Sequence, residues 1–170
     1  MFCTSSNSGP LQDRVNIGIR PFKEEDTLAC ITIFQSNTPR FFGPDEVKEF
    51  TQFLNQPNCT FLVVTDQDSV CGCGGYYREG SEGWLCWGMV HRDLHGTGIG
   101  KKLLLERLIR LFSDPEVKTV ANNTSQHARP FFEHFGFSAE GPATPNGFSE
   151  GIDAVKLVLT REEFEKRSMR

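Results

Sequence analysis

The residues with the clearest chemical potential are glycines at alternate positions in the stretch Val90-His91-Arg92-Asp93-Leu94-His95-Gly96-Thr97-Gly98-Ile99-Gly100-Lys101. Glycine takes backbone angles closed to other residues, so Gly96, Gly98 and Gly100 let successive N–H groups turn toward one concavity. A helix starting there adds the positive end of its dipole, and an anionic group such as a phosphate suits the resulting site. The charge distribution agrees. From His91 to Arg110 five Lys and Arg oppose two Asp and Glu, a local +3 in a chain of formal charge −4, which leaves −7 for the remainder. The plainer alternative is a glycine-rich connection that binds nothing.

Two common phosphate loops have other spacings. A Walker loop needs G-x-x-x-x-G-K-[ST], but Gly96 precedes Gly100 by four and Lys101 is followed by Lys102. A dinucleotide fingerprint needs G-x-G-x-x-G, and Lys101 stands where its third glycine belongs.

Such a turn needs elements to hold it. Val15, Ile17 and Ile19 alternate with Asn16, Gly18 and Arg20, the period of a half-buried strand that Pro21 limits. Asp26 is placed to cap a helix over 26–35 with Leu28, Ile31 and Phe34 at helical spacing. A loop over 37–44 carries Phe41 and Phe42, and a second helix over 45–55 sets Val47, Phe50 and Leu54 on one face. Residues 60–65 and 70–77 read as a hairpin and 84–90 as the next strand. From 98 to 112 the period is helical, with Leu103, Leu104, Ile109 and Leu111 among polar Lys101, Lys102, Glu106 and Arg107. A short strand over 117–121, a short helix over 127–134, an extended segment from Phe137, a loop over 143–151 and a strand over 154–159 complete the pattern. Antiparallel strands followed by a β-α-β unit predict an α+β fold with one mixed sheet and helices on its faces. Residues 1–14, rich in Ser, Asn, Gly and Pro, read as a tail, 15–160 as the domain, and 161–170 as a charged tail or short helix.

The chain's 170 residues suffice for one domain. With 38% hydrophobic and 24% charged residues it is not expected to be disordered. No apolar run approaches the roughly 20 residues that cross a bilayer, and no leader pattern opens the sequence, so a cytoplasmic protein without a membrane role is expected. The acidic balance disfavours a nucleic-acid binder. The six cysteines include no C-x-x-C, which disfavours a metal or disulfide framework; Cys71 and Cys73 are expected on one face of a strand.

The sequence resembles the GNAT superfamily of acyl-CoA-dependent N-acyltransferases. Their signature Q/R-x-x-G-x-G/A, between the fourth strand and third helix, is matched by His95-x-x-Gly98-x-Gly100 with His in place of Gln or Arg. A second family element, aromatic-Tyr-Glu-x-x-Gly-Phe, resembles Phe131-Phe132-Glu133-His134-Phe135-Gly136-Phe137, and Ile19-Arg20-Pro21 with Asp26 resembles the family's opening. The resemblance implies a parallel pair of fourth and fifth strands within a mostly antiparallel sheet.

It further implies acetyl-CoA as cosubstrate without a metal, and a small or peptidic amine as acceptor, attacked directly in a ternary complex by a monomer or homodimer. His95, Gly96, Thr97, Gly98, Ile99, Gly100 and Lys101 would hold the pyrophosphate. Met89 and Val90 would present main chain to the pantetheine arm, and Ser125 would touch that arm or serve as a plain helix cap. Trp84 stands where the family often has a basic Glu; Glu82, two residues earlier, is the candidate base or a solvated turn residue. His91 is the second candidate, since histidine titrates near neutrality. Phe41, Phe42, Tyr76, Tyr77 and Trp84 are candidates for an acceptor pocket. Phe132 replaces the Tyr that commonly protonates the thiolate. Two rivals stay open: a non-catalytic acyl-CoA sensor on the same fold, and an enzyme reading another phosphate ligand.

Overall fold

The computed structural model describes residues 16–170; the expected tail, with Cys3, and the expected strand start at Val15 lie outside them. Alternating and β-branched segments form β1 (Ile17–Pro21), β2 (Thr60–Asp66), β3 (Ser69–Glu79) and β4 (Glu82–Val90), paired antiparallel in that order. The β2–β3 turn uses Gln67 and Asp68, both at positive φ, whose twist matches that of the flanking strands. After β4 the period changes to helical, and α3 (Ile99–Phe112) carries the chain across the sheet to β5 (Thr119–Ser125), which pairs parallel to β4. Antiparallel β8 (Ile152–Thr160) follows β5 in the sheet, with β6 (Ser138–Ala139) and β7 (Thr144–Ser149) along its other side.

Side-chain alternation divides the core between the two faces. On one, α1 (Thr27–Ser36) and α2 (Glu46–Asn55) enclose Cys30, Phe34, Phe50 and Leu54 against Phe61, Val63, Cys73 and Met89. On the other, Leu104, Leu108 and Leu111 of α3 pack with Leu85, Val120, Leu157 and Leu159, joined by Phe132 of α4 (Arg129–His134). α5 (Arg161–Ser168) lays Phe164 on Phe112 with ring centroids 4.8 Å apart. The result is the expected mixed sheet with helices on both faces.

Several local expectations need correction. Asp26 does not cap α1: it is buried and accepts two bonds from Arg20, at 2.7 and 2.8 Å, and one from the Lys23 N–H. The buried stripe of α1 is Cys30, Ile33 and Phe34, with Leu28 79% exposed. In α3, Ile109 is exposed and Arg107 buried, the reverse of their polarity. The segment 143–151 is mostly strand, because β8 offers it an edge and Asp153 accepts the Asn146 N–H. Cys71 and Cys73 separate: the β2–β3 register skips Cys71, which packs with Val64, Val90, Ile99 and Leu103 near the start of α3, whereas Cys73 joins the α1–α2 core.

Candidate functional site

β4 and β5 are paired only over their first halves. Their parallel register runs from Glu82–Thr119 to Leu85–Asn122 and stops, although β4 continues to Val90 and β5 to Ser125. Beyond Leu85 the strands diverge, leaving β4 main chain without its β5 partner. A bulge marks this portion. The β3–β4 register shifts between Cys73 and Gly75, and Trp87 sits at φ 47°. Two consecutive residues therefore face the α1–α2 layer: Cys86 lies beside Cys59, Sγ to Sγ 3.6 Å, and Trp87 packs on Phe50 at 5.0 Å. Gly88 follows and is exposed although mid-strand.

Met89 and Val90 end β4. Both are buried, and the Val90 carbonyl accepts from Asn37 Nδ2 at 2.9 Å and His95 Nε2 at 3.0 Å. Because a carbonyl only accepts, His95 carries its proton on Nε2. The solvent-open main chain of the diverging strand is at Gly88.

The glycine turn has the expected form. Gly96 and Gly98 take φ 77° and 88°, and Gly98 is the residue from which α3 starts. Thr97 donates its hydroxyl to the Leu94 carbonyl, and Lys102 is the first residue whose N–H closes the helix, onto Gly98 at 3.1 Å. The N–H groups of Ile99, Gly100 and Lys101 therefore form the open end of α3. A Cβ on Gly96 would meet nothing within 4 Å, and one on Gly100 would have its nearest contacts at Phe131 and Val90, at 3.6 Å or more. Of the five cations counted in the sequence, Lys102 binds the Ile17 carbonyl, Arg110 pairs with Glu106 and Arg107 is buried, so Arg92 and Lys101 are the exposed charges left to meet an anion.

The remaining candidates are spread out. Ser125 is buried at the end of β5, and its Oγ accepts the Ala128 N–H at 3.3 Å, a turn contact ahead of α4 rather than a helix cap, which leaves its hydroxyl proton to donate. His91 Nδ1 accepts the Asp93 N–H at 3.2 Å, so its neutral ring holds the proton on Nε2 and has no lone pair ready. Glu82 lies at the paired end of β4, 3.8 Å from Lys156. Six residues from Gly88, roughly 18 Å along a strand, it is beyond direct proton transfer to a group held there. Phe42 is core packing against Phe34, and Tyr76 packs on the α3 side. Tyr77 and Trp84 stack in parallel on the other face, with Lys156 over the indole at 5.2 Å. Phe41 stands edge-on to both His95 and His127, between the glycine turn and the loop after β5.

Sequence reasoning passed over two residues. Asn122, where β4 and β5 part, is 7% exposed, and its carboxamide has no hydrogen-bond partner among the described residues. Arg107 lies under Gly74 and Gly88, where a Cβ on either would come within 2.9 Å of its guanidinium. The stripe Leu103, Leu104, Leu108 and Leu111 includes position 107 by helical spacing, which was the available signal.

The central parallel strands of a mixed sheet thus part beside the open amides of a helix, within a single domain. A family profile, Acetyltransferase (GNAT) domain, matches residues 34–161, and the chain belongs to that family. A GNAT-family protein from Desulfovibrio desulfuricans is 21% identical, with a TM-score of 0.73 over 85% of this chain and 99% of the other. The spermidine/spermine N-acetyltransferase SpeG from Vibrio cholerae is 15% identical, with a TM-score of 0.67 over 89% and 98%. The ribosomal-protein-alanine N-acetyltransferase from Brucella melitensis is 18% identical, with a TM-score of 0.66 over 84% and 99%. At these identities the structures share the fold. No curated protein matches the chain.

Proposed function

We propose that this protein is an N-acetyltransferase that moves the acetyl group of acetyl-CoA to a primary amine by direct attack in a ternary complex. The observation that carries this reading is the parting of β4 and β5 after Leu85–Asn122, which opens beside the free amides of Ile99, Gly100 and Lys101. The fit is specific at one further point. The buried Asn122 carboxamide needs partners, and the amide-bearing pantetheine arm offers both donors and acceptors. The pyrophosphate would lie against the glycine turn with Arg92 and Lys101. Exposed Gly88 main chain would meet the thioester, and Ser125 would donate its hydroxyl proton to the arm. Bound acetyl-CoA supplies an activated acyl group and a good leaving group.

For the acceptor, the Tyr77–Trp84 ledge with Glu82 and Glu140 around Lys156 suits the far charge of an extended cationic amine whose reacting nitrogen reaches on toward Gly88: the aromatic faces attract that charge and the carboxylates its approach. Glu82 then serves attraction rather than proton transfer, and the amine gives its proton to solvent. The Glu82→Gln variant is expected to raise the amine KM several-fold with kcat nearly unchanged. No helix among the described residues is long and apolar enough to cross a membrane.

Calorimetry with acetyl-CoA, followed by an amine panel monitored by thiol release, tests the reading. Saturable binding and amine-dependent thiol release are expected; folded protein that fails to bind acetyl-CoA overturns it. The rival non-catalytic sensor is favoured by Glu82 being held by Lys156 and His91 by Asp93. Tight coenzyme binding without thiol release for any amine would decide for it.

A further inference from the structure

Arg107 is the one buried Lys or Arg among the described residues, and packing does not explain it. It is 3% exposed in α3, and no carboxylate lies within ion-pair distance among the described residues. Its hydrogen bonds are two long ones, Nε to the Leu103 carbonyl and Nη1 to the Gly75 carbonyl, both 3.4 Å. A buried guanidinium so weakly held is expensive, and an apolar side chain would serve packing better. The titratable groups that act on it are the thiols of Cys73 on β3 and Cys86 on β4, across the sheet from it. Burial raises the Cys73 thiol well above its ordinary range, and the Cys59 contact followed by burial raises that of Cys86, so both stay neutral and leave the cation uncompensated. Burial also pulls Arg107 itself down to about 10, which still leaves it charged at neutral pH.

Its position indicates what the charge faces. A Cβ on Gly88 would lie 2.8 Å from both Nη1 and Nη2, so the guanidinium sits directly behind that residue. Gly88 is exposed on its open side and borders the parting of β4 and β5. The cation is thus one strand's thickness from the cleft, inside a medium of low polarisability where its field is weakly screened. Glycine at both 74 and 88 is what admits the guanidinium to this place.

We propose that Arg107 is an electrostatic positioning residue that holds the sulfur of coenzyme A as a thiolate in the cleft. This rests on the reading of the site as an acetyl-CoA site. In acyl transfer the amine nitrogen bonds the acetyl carbon, the carbon–sulfur bond breaks, and its electron pair stays on sulfur. The amine's proton goes to solvent. A fixed cation behind Gly88 stabilises the charge left on sulfur, so no proton donor is required, which accounts for Phe132 at the position where the resemblance led one to expect Tyr.

The test compares coenzyme A with desulfo-coenzyme A, which differs only in the thiol, across pH 6 to 9 by calorimetry. Each unit by which the bound thiol falls below its free value tightens coenzyme A about tenfold once the thiolate forms. The wild-type protein is expected to prefer coenzyme A by about tenfold or more at high pH. The Arg107→Met variant is expected to lose that preference while keeping its affinity for desulfo-coenzyme A, and Arg107→Lys to retain it. The desulfo arm reports folding, because a variant that binds it has an intact cleft. A wild-type ratio flat with pH, or an unchanged pH-dependent ratio in folded Arg107→Met, overturns the inference and leaves the acetyl-CoA reading standing. Failure of wild-type protein to bind either compound overturns that reading and the inference with it.

Discussion

Asn37, just past the end of α1, donates its Nδ2 to the carbonyl of Val90, the last residue of β4, at 2.9 Å. The same nitrogen reaches the Ile33 carbonyl at 2.9 Å, and His95 Nε2 approaches the Val90 carbonyl from the glycine turn. One buried carboxamide therefore ties α1, the end of the diverging strand and, through Val90, the turn before α3. Asn37→Ala removes one of two side-chain donors from each carbonyl, Val90 keeping His95 and Ile33 keeping the Ser36 hydroxyl, and the two lost bonds are expected to cost about 2 kcal/mol in denaturant unfolding. Asn37→Asp is expected to cost more at pH 7, because a carboxylate would face two carbonyl oxygens. Its loss shrinks on acidification, since the protonated acid regains a donor. An Asp variant as stable as wild type at neutral pH would refute this account of the tie.

A second link fixes the start of α1. The Arg20 guanidinium, with help from the Lys23 N–H, holds the Asp26 carboxyl below its usual range, against an opposing effect of burial. A carboxylate lowered on folding contributes stability above its unfolded value near 4, and that contribution is lost as pH falls through the folded value. Asp26→Asn removes the charge, and with charge-assisted bonds worth about 1.5–3 kcal/mol each it is expected to destabilise by on the order of 2 kcal/mol at pH 7. The gap to wild type should narrow below pH 4 in urea titrations. A gap independent of pH would show that the charge is not what Asp26 contributes.

The sheet and the glycine turn were legible because each rests on a local rule: a β-rich apolar run for Phe61 to Val64, and alternate glycines for the residues preceding Lys101. What escaped depends on partners distant in sequence. Thr144-Pro145-Asn146-Gly147 has turn composition and becomes strand because β8 presents an edge to it. Asn122 and Asn123 are poor strand formers, yet β5 extends to Ser125 because β8 pairs with it along its whole length, β4 leaving after Asn122. The bulge at Trp87 has no glycine to announce it at that residue. Arg107 was read by its charge, although its place on the α3 stripe already assigned it to the buried face. The exposure of Gly88 beside buried Met89 and Val90, and the hold of Asn37 and His95 on the Val90 carbonyl, rest on contacts that no spacing rule encodes.

Gly88 and Arg107 form a steric pair that can be separated from any electrostatic role. Gly88→Ala puts a methyl 2.8 Å from the guanidinium nitrogens, an overpacking expected to cost about 1–3 kcal/mol. In Gly88→Ala combined with Arg107→Met the flexible thioether can give way. The double variant is then expected to be less destabilised than the two single variants added, with a coupling of about 1 kcal/mol. Strict additivity in a double-mutant cycle would mean that the two residues do not touch in solution.

Phe132 is the point at which this chain's reaction is expected to part from the pattern its sequence resembles. Its ring is 8% exposed and packed edge-on to Phe131 and Phe137, at 5.1 and 5.5 Å. If the leaving sulfur needed a proton from this position, Phe132→Tyr would supply the phenol and raise the rate of thiol release. With Arg107 stabilising the thiolate no donor is needed, and the expected outcome is a kcat within about twofold of wild type with an unchanged pH profile. The added hydroxyl lacks a partner in an apolar cluster, so a stability loss of about 1–3 kcal/mol is expected from its desolvation. A rise of about tenfold in kcat, equivalent to about 1.4 kcal/mol in the barrier, would instead identify the missing acid and assign the work of protonation to position 132.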